Sequence, residues 1–80
     1  MVRAVYSVVL KNGGWTVELN DKPVVRCSSR DLGVQAAVLA ATQAVTKGYK
    51  AHVLAQEGTR FRSVWANGKP QPKEAFTLLA

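Results

Sequence analysis

The chain has 80 residues, of which 48% are hydrophobic and 20% are charged, a composition that predicts one globular domain and excludes a disordered segment. Eleven Lys and Arg against five Asp and Glu give a net charge of +6, which favours nucleic acid or another anionic partner. The single cysteine, Cys27, excludes an internal disulfide and is typical of a reducing compartment. Since no apolar run approaches the ~20 residues of a membrane span and no signal peptide is predicted, we expect a cytoplasmic protein with no membrane partner.

A β-hairpin is the first predicted element. Apolar and polar side chains alternate through residues 2–11, as in a half-buried strand. Asn12-Gly13 is a strong signal for a two-residue turn, because a type I′ turn needs positive φ at both positions. This loop puts three apolar pairs on the inward face, namely Leu10 with Trp15, Val8 with Val17, and Tyr6 with Leu19.

A third strand follows a turn at residues 20–22, and Pro23 is acceptable at its start. A three-residue loop points Val25 and Cys27 inward and Arg26 outward. A two-residue loop would turn Arg26 inward, so the three-residue loop is preferred.

The next segment predicts a helix that ends at about Lys47, before Gly48 as its C′ residue. Ser28 is the expected N-cap, because Asp31 follows three residues later as in a capping box. The inward face is rich in alanine and suits close packing on a sheet. Two leucines fall on the polar side of the helix, Leu32 and Leu39.

Residues 49–55 and 59–65 predict a second hairpin. A three-residue loop at 56–58 aligns Val53 with Phe61 and is preferred to a two-residue loop, which would set Val53 opposite Arg62. The predicted fold class is α+β, with element order β-β-β-α-β-β in a single antiparallel sheet and one helix packed on one face. Residues 1–66 form this domain, and residues 67–80 form an irregular tail whose apolar end docks or pairs as an extra strand.

The order of these motifs resembles that of a known family. The motifs are Gly14-Trp15-Thr16-Val17, the alanine-rich helix, and Gly48-x-x-Ala51-x-Val53 before Gly58. They are similar to a family of small bacterial and phage domains of unknown function, with a Gly-Trp-x-Val hairpin, an Ala-rich helix and a closing hairpin. The resemblance covers about residues 4–67 and implies a fold but no activity. The architecture is also similar to the DNA-inserting, three-stranded arm-binding domains of tyrosine recombinases, although shared architecture does not establish shared function.

The residues predict no catalytic, metal or cofactor site. The only histidine, His52, is expected on the opposite face of the sheet from Cys27, so the two side chains cannot supply a metal site or a catalytic pair. The five carboxylates occupy turns, a cap, a strand surface and the tail, with no convergent pair for acid–base chemistry. We therefore expect a binding protein and not an enzyme.

The strongest functional signal is a basic sheet face. On the face without the helix, six cations are expected against Glu18 alone. Arginine and lysine bind phosphate oxygens, so this face predicts nucleic-acid binding, although a face made basic to prevent strand aggregation explains the pattern nearly as well. The expected lack of an aromatic stacking platform slightly favours a duplex. The six expected nucleic-acid-binding residues are Arg3, Lys11, Arg26, Lys50, Arg60 and Arg62.

A second hypothesis is a homodimeric protein-interaction or inhibitory module, such as a phage or mobile-element accessory protein, that acts on an acidic partner. It is motivated by exposed hydrophobic side chains on the helix and in the tail. The expected interface residues are Leu32, Leu39, Phe76, Leu78 and Leu79.

Overall fold

The computed structural model describes residues 3–67, 69–70 and 76–77. The predicted order β-β-β-α-β-β is confirmed, and two short strands follow it. The elements are β1 (Arg3–Lys11), β2 (Gly14–Leu19), β3 (Lys22–Cys27), α1 (Arg30–Thr46), β4 (Lys50–Glu57), β5 (Arg60–Ala66), β6 (Lys69–Pro70) and β7 (Phe76–Thr77).

All the strands of the described residues belong to one sheet, in the order β3-β2-β1-β4-β5-β6, and β7 also pairs with β5. The pair β1–β4 is parallel and the other pairs are antiparallel, so the prediction of a wholly antiparallel sheet is wrong at this pair. The parallel pairing follows from the length of α1. Its 17 residues span about 25 Å, so the helix carries the chain back from one end of the sheet to the other. β4 therefore starts at the same end as β1 and runs in the same direction.

The first hairpin has the predicted register. Leu10 pairs with Trp15, and the other two predicted pairs, Val8 with Val17 and Tyr6 with Leu19, are also present. Asn12 and Gly13 have φ values of 52° and 76°, as a type I′ turn requires.

The predicted three-residue loop before β3 is wrong. Leu19 pairs with Lys22 across a two-residue turn, and a β-bulge follows opposite Val17 and Glu18. The bulge adds one residue to β3 and restores the side-chain alternation that the longer loop would have produced. Arg26 therefore lies on the face without the helix, and Cys27 on the helix side, as predicted.

The predicted register of the second hairpin is also wrong. Glu57 pairs with Arg60 across a two-residue turn, and a β-bulge near Val64 shifts the remaining register. Val53 consequently pairs with Trp65 and not with Phe61. The position of the turn at Gly58 and Thr59, and not the bulge, places Arg62 opposite Ala55 instead of Val53, so the conflict that disfavoured the short loop does not arise.

The ends of α1 are set by its caps. Ser29 is the N-cap, one residue later than predicted, and its hydroxyl accepts a hydrogen bond from the Leu32 N–H at 3.2 Å. Gly48 follows the C-terminus with φ 93°, which confirms the predicted stop signal. The Tyr49 N–H then donates to the Ala44 carbonyl at 3.0 Å.

The core lies between α1 and the sheet. Small helix residues allow α1 to lie close to the strands, and Gly33 lies so near β1 that a Cβ there would be 2.7 Å from Cγ1 of Val8. Trp65 is buried in this core, whereas Trp15 is only partly buried against it. The buried cluster consists of Ala4, Tyr6, Val8, Val17, Ala37, Ala41, Ala44, Ala51, Val53, Ala55 and Trp65.

Candidate anion-binding surface

The sheet face opposite α1, called here the helix-free face, is buried at its centre. Five small or apolar side chains of β1, β2, β4 and β5 on this face are only 3–7% exposed. Burial on both sides explains the almost continuous apolar run of β1, because such runs are typical of strands covered on two faces. The five residues are Ser7, Val9, Thr16, Leu54 and Ser63.

Four of the six predicted cations lie around this buried centre. Arg3 and Lys50 are directly opposite each other in the parallel pair β1–β4, and both are exposed. Arg26 lies opposite Thr16, and its guanidinium covers Gly14, where a Cβ would lie 2.5 Å from Nη2 of Arg26. Glycine at position 14 therefore makes room for the arginine.

Lys11 is the fourth of these cations, and its charge is partly neutralised. Its Nζ forms an ion pair with Glu18, whose side chain is almost fully buried on the same face. Among the described residues, no carboxylate forms an ion pair with Arg3, Arg26 or Lys50. These three side chains are consequently the ones best placed to bind an external anion.

Arg60 and Arg62 are not on the helix-free face, so their predicted outward placement is wrong. The register that pairs Arg62 with Ala55 turns both side chains to the helix side of β5. There Arg62 forms an ion pair with Glu57, in which Nε lies 2.7 Å from Oε2 and Nη2 donates a hydrogen bond to Oε1 at 2.8 Å. Arg30, at the start of α1, contacts the same carboxylate at 3.3 Å. Glu57 therefore links the helix to β5, a role that the sequence did not indicate.

Replacing Glu57 with Gln should lower the free energy of unfolding by about 1 kcal/mol, because the charge-assisted bonds to Arg30 and Arg62 are lost from a partly buried site. Urea denaturation monitored by circular dichroism measures this change. Asp21→Asn is a matched control, since it removes a carboxylate from an exposed turn with φ 72° that Asn also tolerates. Equal midpoints for the two variants would contradict a stabilising role for Glu57.

A polar cavity of about 190 Å³ lies at the end of the sheet where β1 and β4 begin, and it is called here the end cavity. Its lining residues are Arg3, Lys50, Ala51, His52 and Asn67. Two hydrogen bonds to Ala51 fix the position of Asn67. The Oδ1 of Asn67 accepts from the Ala51 N–H at 3.0 Å, and the backbone N–H of Asn67 donates to the Ala51 carbonyl at 2.9 Å.

His52 is fixed in the end cavity by a hydrogen bond between its Nε2 and Oγ of Ser63. Burial, and secondly the positive charge of Arg3, lower the pKa of His52 below its ordinary value of 6.5. The predicted separation of His52 from Cys27 is confirmed, because Cys27 packs against the core on the helix side.

The structure describes three of the five hydrophobic residues that were predicted to form an interface. Leu32 and Leu39 are 49% and 64% exposed on α1, as their position on the polar side predicts. Phe76 belongs to β7, while Leu78 and Leu79 lie outside the described residues. An apolar cavity of about 360 Å³ opens beside the C-terminal half of α1 and includes Tyr6.

The helix of the described residues is too short and too polar to cross a membrane. Comparison of the chain with protein-family profiles, with curated proteins and with solved structures found no match.

Proposed function

We propose that this protein is a non-enzymatic module that binds nucleic acid, with its helix-free face against the phosphate backbone. The observation that carries the proposal is the set of three exposed cations without an ion-pair partner among the described residues, Arg3, Arg26 and Lys50. Lys11 adds a weaker contribution, because Glu18 already balances its charge. Arg60 and Arg62 lie on the helix side of β5 and are not part of the proposed surface.

The spacing of the cations suits an extended polyanion. Arg3 and Lys11 are eight residues apart on β1, which corresponds to about 26 Å at the rise of a β-strand. Arg26 lies near the Lys11 end and Lys50 at the Arg3 end. Since phosphates recur every 3.4 Å along each strand of a duplex, both groups of cations reach phosphates of one ligand.

The side chains between the cations favour a duplex over a single strand. Phe61 and the imidazole of His52 are the aromatic rings that the described residues place on the helix-free face, and both are partly buried. Proteins that bind single strands stack successive bases on several aromatic rings. Contacts to phosphates alone give affinity without reading the base sequence.

The affinity for a 20-base-pair duplex should decrease steeply with salt. If three phosphates are neutralised, the logarithm of the association constant should fall against the logarithm of salt concentration with a slope of about −3. The double substitution Arg3→Gln and Lys50→Gln should reduce the slope to about −1, because two of these contacts are lost. Fluorescence anisotropy with a labelled duplex, repeated at five salt concentrations, measures both slopes.

The matched control is the double substitution Lys22→Gln and Lys47→Gln. It removes the same charge from exposed residues at the same end of the molecule but on the helix side. The control should keep the wild-type slope. An equal reduction of the salt slope in the two double variants would reject the helix-free face as the binding surface. No binding to duplex DNA, duplex RNA or single strands at low salt would reject the nucleic-acid proposal.

The exposed leucines support one other candidate, a homodimeric interaction module that acts on an acidic partner. Leu32 and Leu39 are two helical turns apart and lie on the same side of α1. A symmetric dimer would cover this patch with its own copy. Sedimentation that shows a dimer, together with absent nucleic-acid binding, would favour this candidate over the first.

A further inference from the structure

The end cavity has the size and the polarity of a small anion site. Its volume of about 190 Å³ corresponds to roughly six water molecules, which leaves space for a phosphate group and a few waters. Its lining is polar and comes from β1, β4 and Asn67, which directly follows β5. Three neighbouring segments of the sheet therefore converge on this volume.

The charges of the cavity are unbalanced. Arg3 and Lys50 lie directly opposite each other, and like charges in that position destabilise a sheet. No carboxylate of the described residues forms an ion pair with either side chain, whereas Lys11 and Arg62 each have one. An anion between Arg3 and Lys50 would convert the repulsion into two favourable contacts.

The remaining lining groups also present donors. Oδ1 of Asn67 is occupied by the Ala51 N–H, so the side chain has its NH₂ group left to donate. The bond to Ser63 fixes the ring of His52 through Nε2 and leaves Nδ1 for a ligand. When the Ser63 hydroxyl donates to Nε2, Nδ1 carries the proton and becomes a donor. Arginine and lysine side chains only donate, and phosphate oxygens are strong acceptors.

We propose that the end cavity is a binding site for a phosphate group, contacted by Arg3, Lys50, His52 and Asn67. Two sources share this chemistry, a free phosphate or phosphomonoester and a phosphate of a nucleic acid. The inference goes beyond the proposed function, because a cavity that binds free phosphate stands even if the chain binds no nucleic acid.

Binding in this site is coupled to the protonation of His52. The charged and polar groups that line the same cavity as His52 are Arg3 from β1, Lys50 from β4 and Asn67, and Ser63 from β5 is hydrogen-bonded to its ring. A bound anion stabilises the imidazolium form, so it raises the pKa of His52. By linkage, an anion whose own charge stays constant should bind more tightly as the pH falls through the pKa of His52 in the free protein.

The test is a titration of the ¹⁵N-labelled protein with inorganic phosphate at low salt, followed by NMR. We expect saturable shifts of the His52 and Asn67 amide signals and a raised pKa of the His52 ring. Arg3→Gln with Lys50→Gln should weaken the affinity at least tenfold, and the control Lys22→Gln with Lys47→Gln should preserve it. All four substituted residues are exposed, so the variants should keep the wild-type dispersion of amide signals.

A second arm identifies the source of the phosphate. An oligonucleotide with a 5′-phosphate is compared with the same oligonucleotide without it, with the His52 and Asn67 signals as the readout. Shifts that need the terminal phosphate assign the site to monoesters, and equal shifts assign it to backbone phosphates. Phosphate binding without oligonucleotide binding would reject the proposed function and retain this site. Shifts that do not saturate, an unchanged His52 pKa, or equal weakening in the control would reject the site.

Discussion

Trp65→Ala should destabilise the protein by about 3–5 kcal/mol, far more than Trp15→Ala. Trp65 is 7% exposed and pairs with Val53, whose side chain is fully buried in the core. Removing a buried tryptophan side chain costs about 3–5 kcal/mol, and a domain of this length has a total stability of about 4–12 kcal/mol. Trp15 is only partly buried, and its partner Leu10 is 49% exposed, so its loss should cost less.

Urea denaturation of the two variants, followed by far-ultraviolet circular dichroism, checks this difference. Trp15→Ala also leaves Trp65 as the single tryptophan, whose emission should be blue-shifted in the native state and red-shifted after unfolding. If Trp15→Ala proves the more damaging change, or if Trp65 emits as a solvated ring in the folded protein, the second hairpin does not have the register described above.

The first hairpin and the end of the helix are predictable from the sequence because local chemistry decides them. Asn12-Gly13 requires one turn type, and the alternation of β1 agrees with the resulting register. Gly48 supplies the left-handed residue that ends α1. Neither feature depends on a contact with a distant part of the chain.

The β-bulges explain where the predictions about side-chain direction succeed and fail. A bulge adds one residue to a strand, and the alternation of apolar and polar side chains in the sequence does not show where this extra residue lies. In β3 the added residue replaces the predicted extra loop residue, so Arg26 keeps its predicted side. In β5 the bulge lies after Arg60 and Arg62, so both arginines are reversed while Trp65 is not. Packing in the core selects this arrangement, because it brings Trp65 beside Val53.

The candidate site was predictable only in part. Alternation alone places Arg3 and Lys50 on the helix-free face. Their direct opposition depends on the parallel β1–β4 pair, which follows from the path of α1 across the sheet and not from either strand. The contribution of Asn67 is not predictable from the sequence, which favours an irregular tail from this residue on, because its bonds are to Ala51, sixteen positions away.

Gly33→Ala should destabilise the protein by about 1–2 kcal/mol, although alanine is the better helix former. In an exposed helix the same change stabilises by about 0.5–1 kcal/mol. Here the new Cβ would lie 2.7 Å from Cγ1 of Val8, whose side chain is completely buried, so the Val8 side chain or the helix must shift. Inserting a methyl group into a filled core costs about 1–3 kcal/mol, which exceeds the gain in helix propensity.

A double-mutant cycle isolates the contact between α1 and β1. Val8→Ala alone should destabilise the protein because it leaves a cavity, but it also removes the methyl group that obstructs Ala at position 33. The double variant with Val8→Ala and Gly33→Ala should therefore lose less stability than the two single variants lose together. The coupling free energy, measured by urea denaturation, should be about 1 kcal/mol or more. Gln35→Ala, on the exposed side of α1, is the control and should change stability little. A Gly33→Ala variant that is more stable than wild type would contradict this prediction, because it would show that the Val8 side chain or α1 shifts at little cost and leaves the gain in helix propensity.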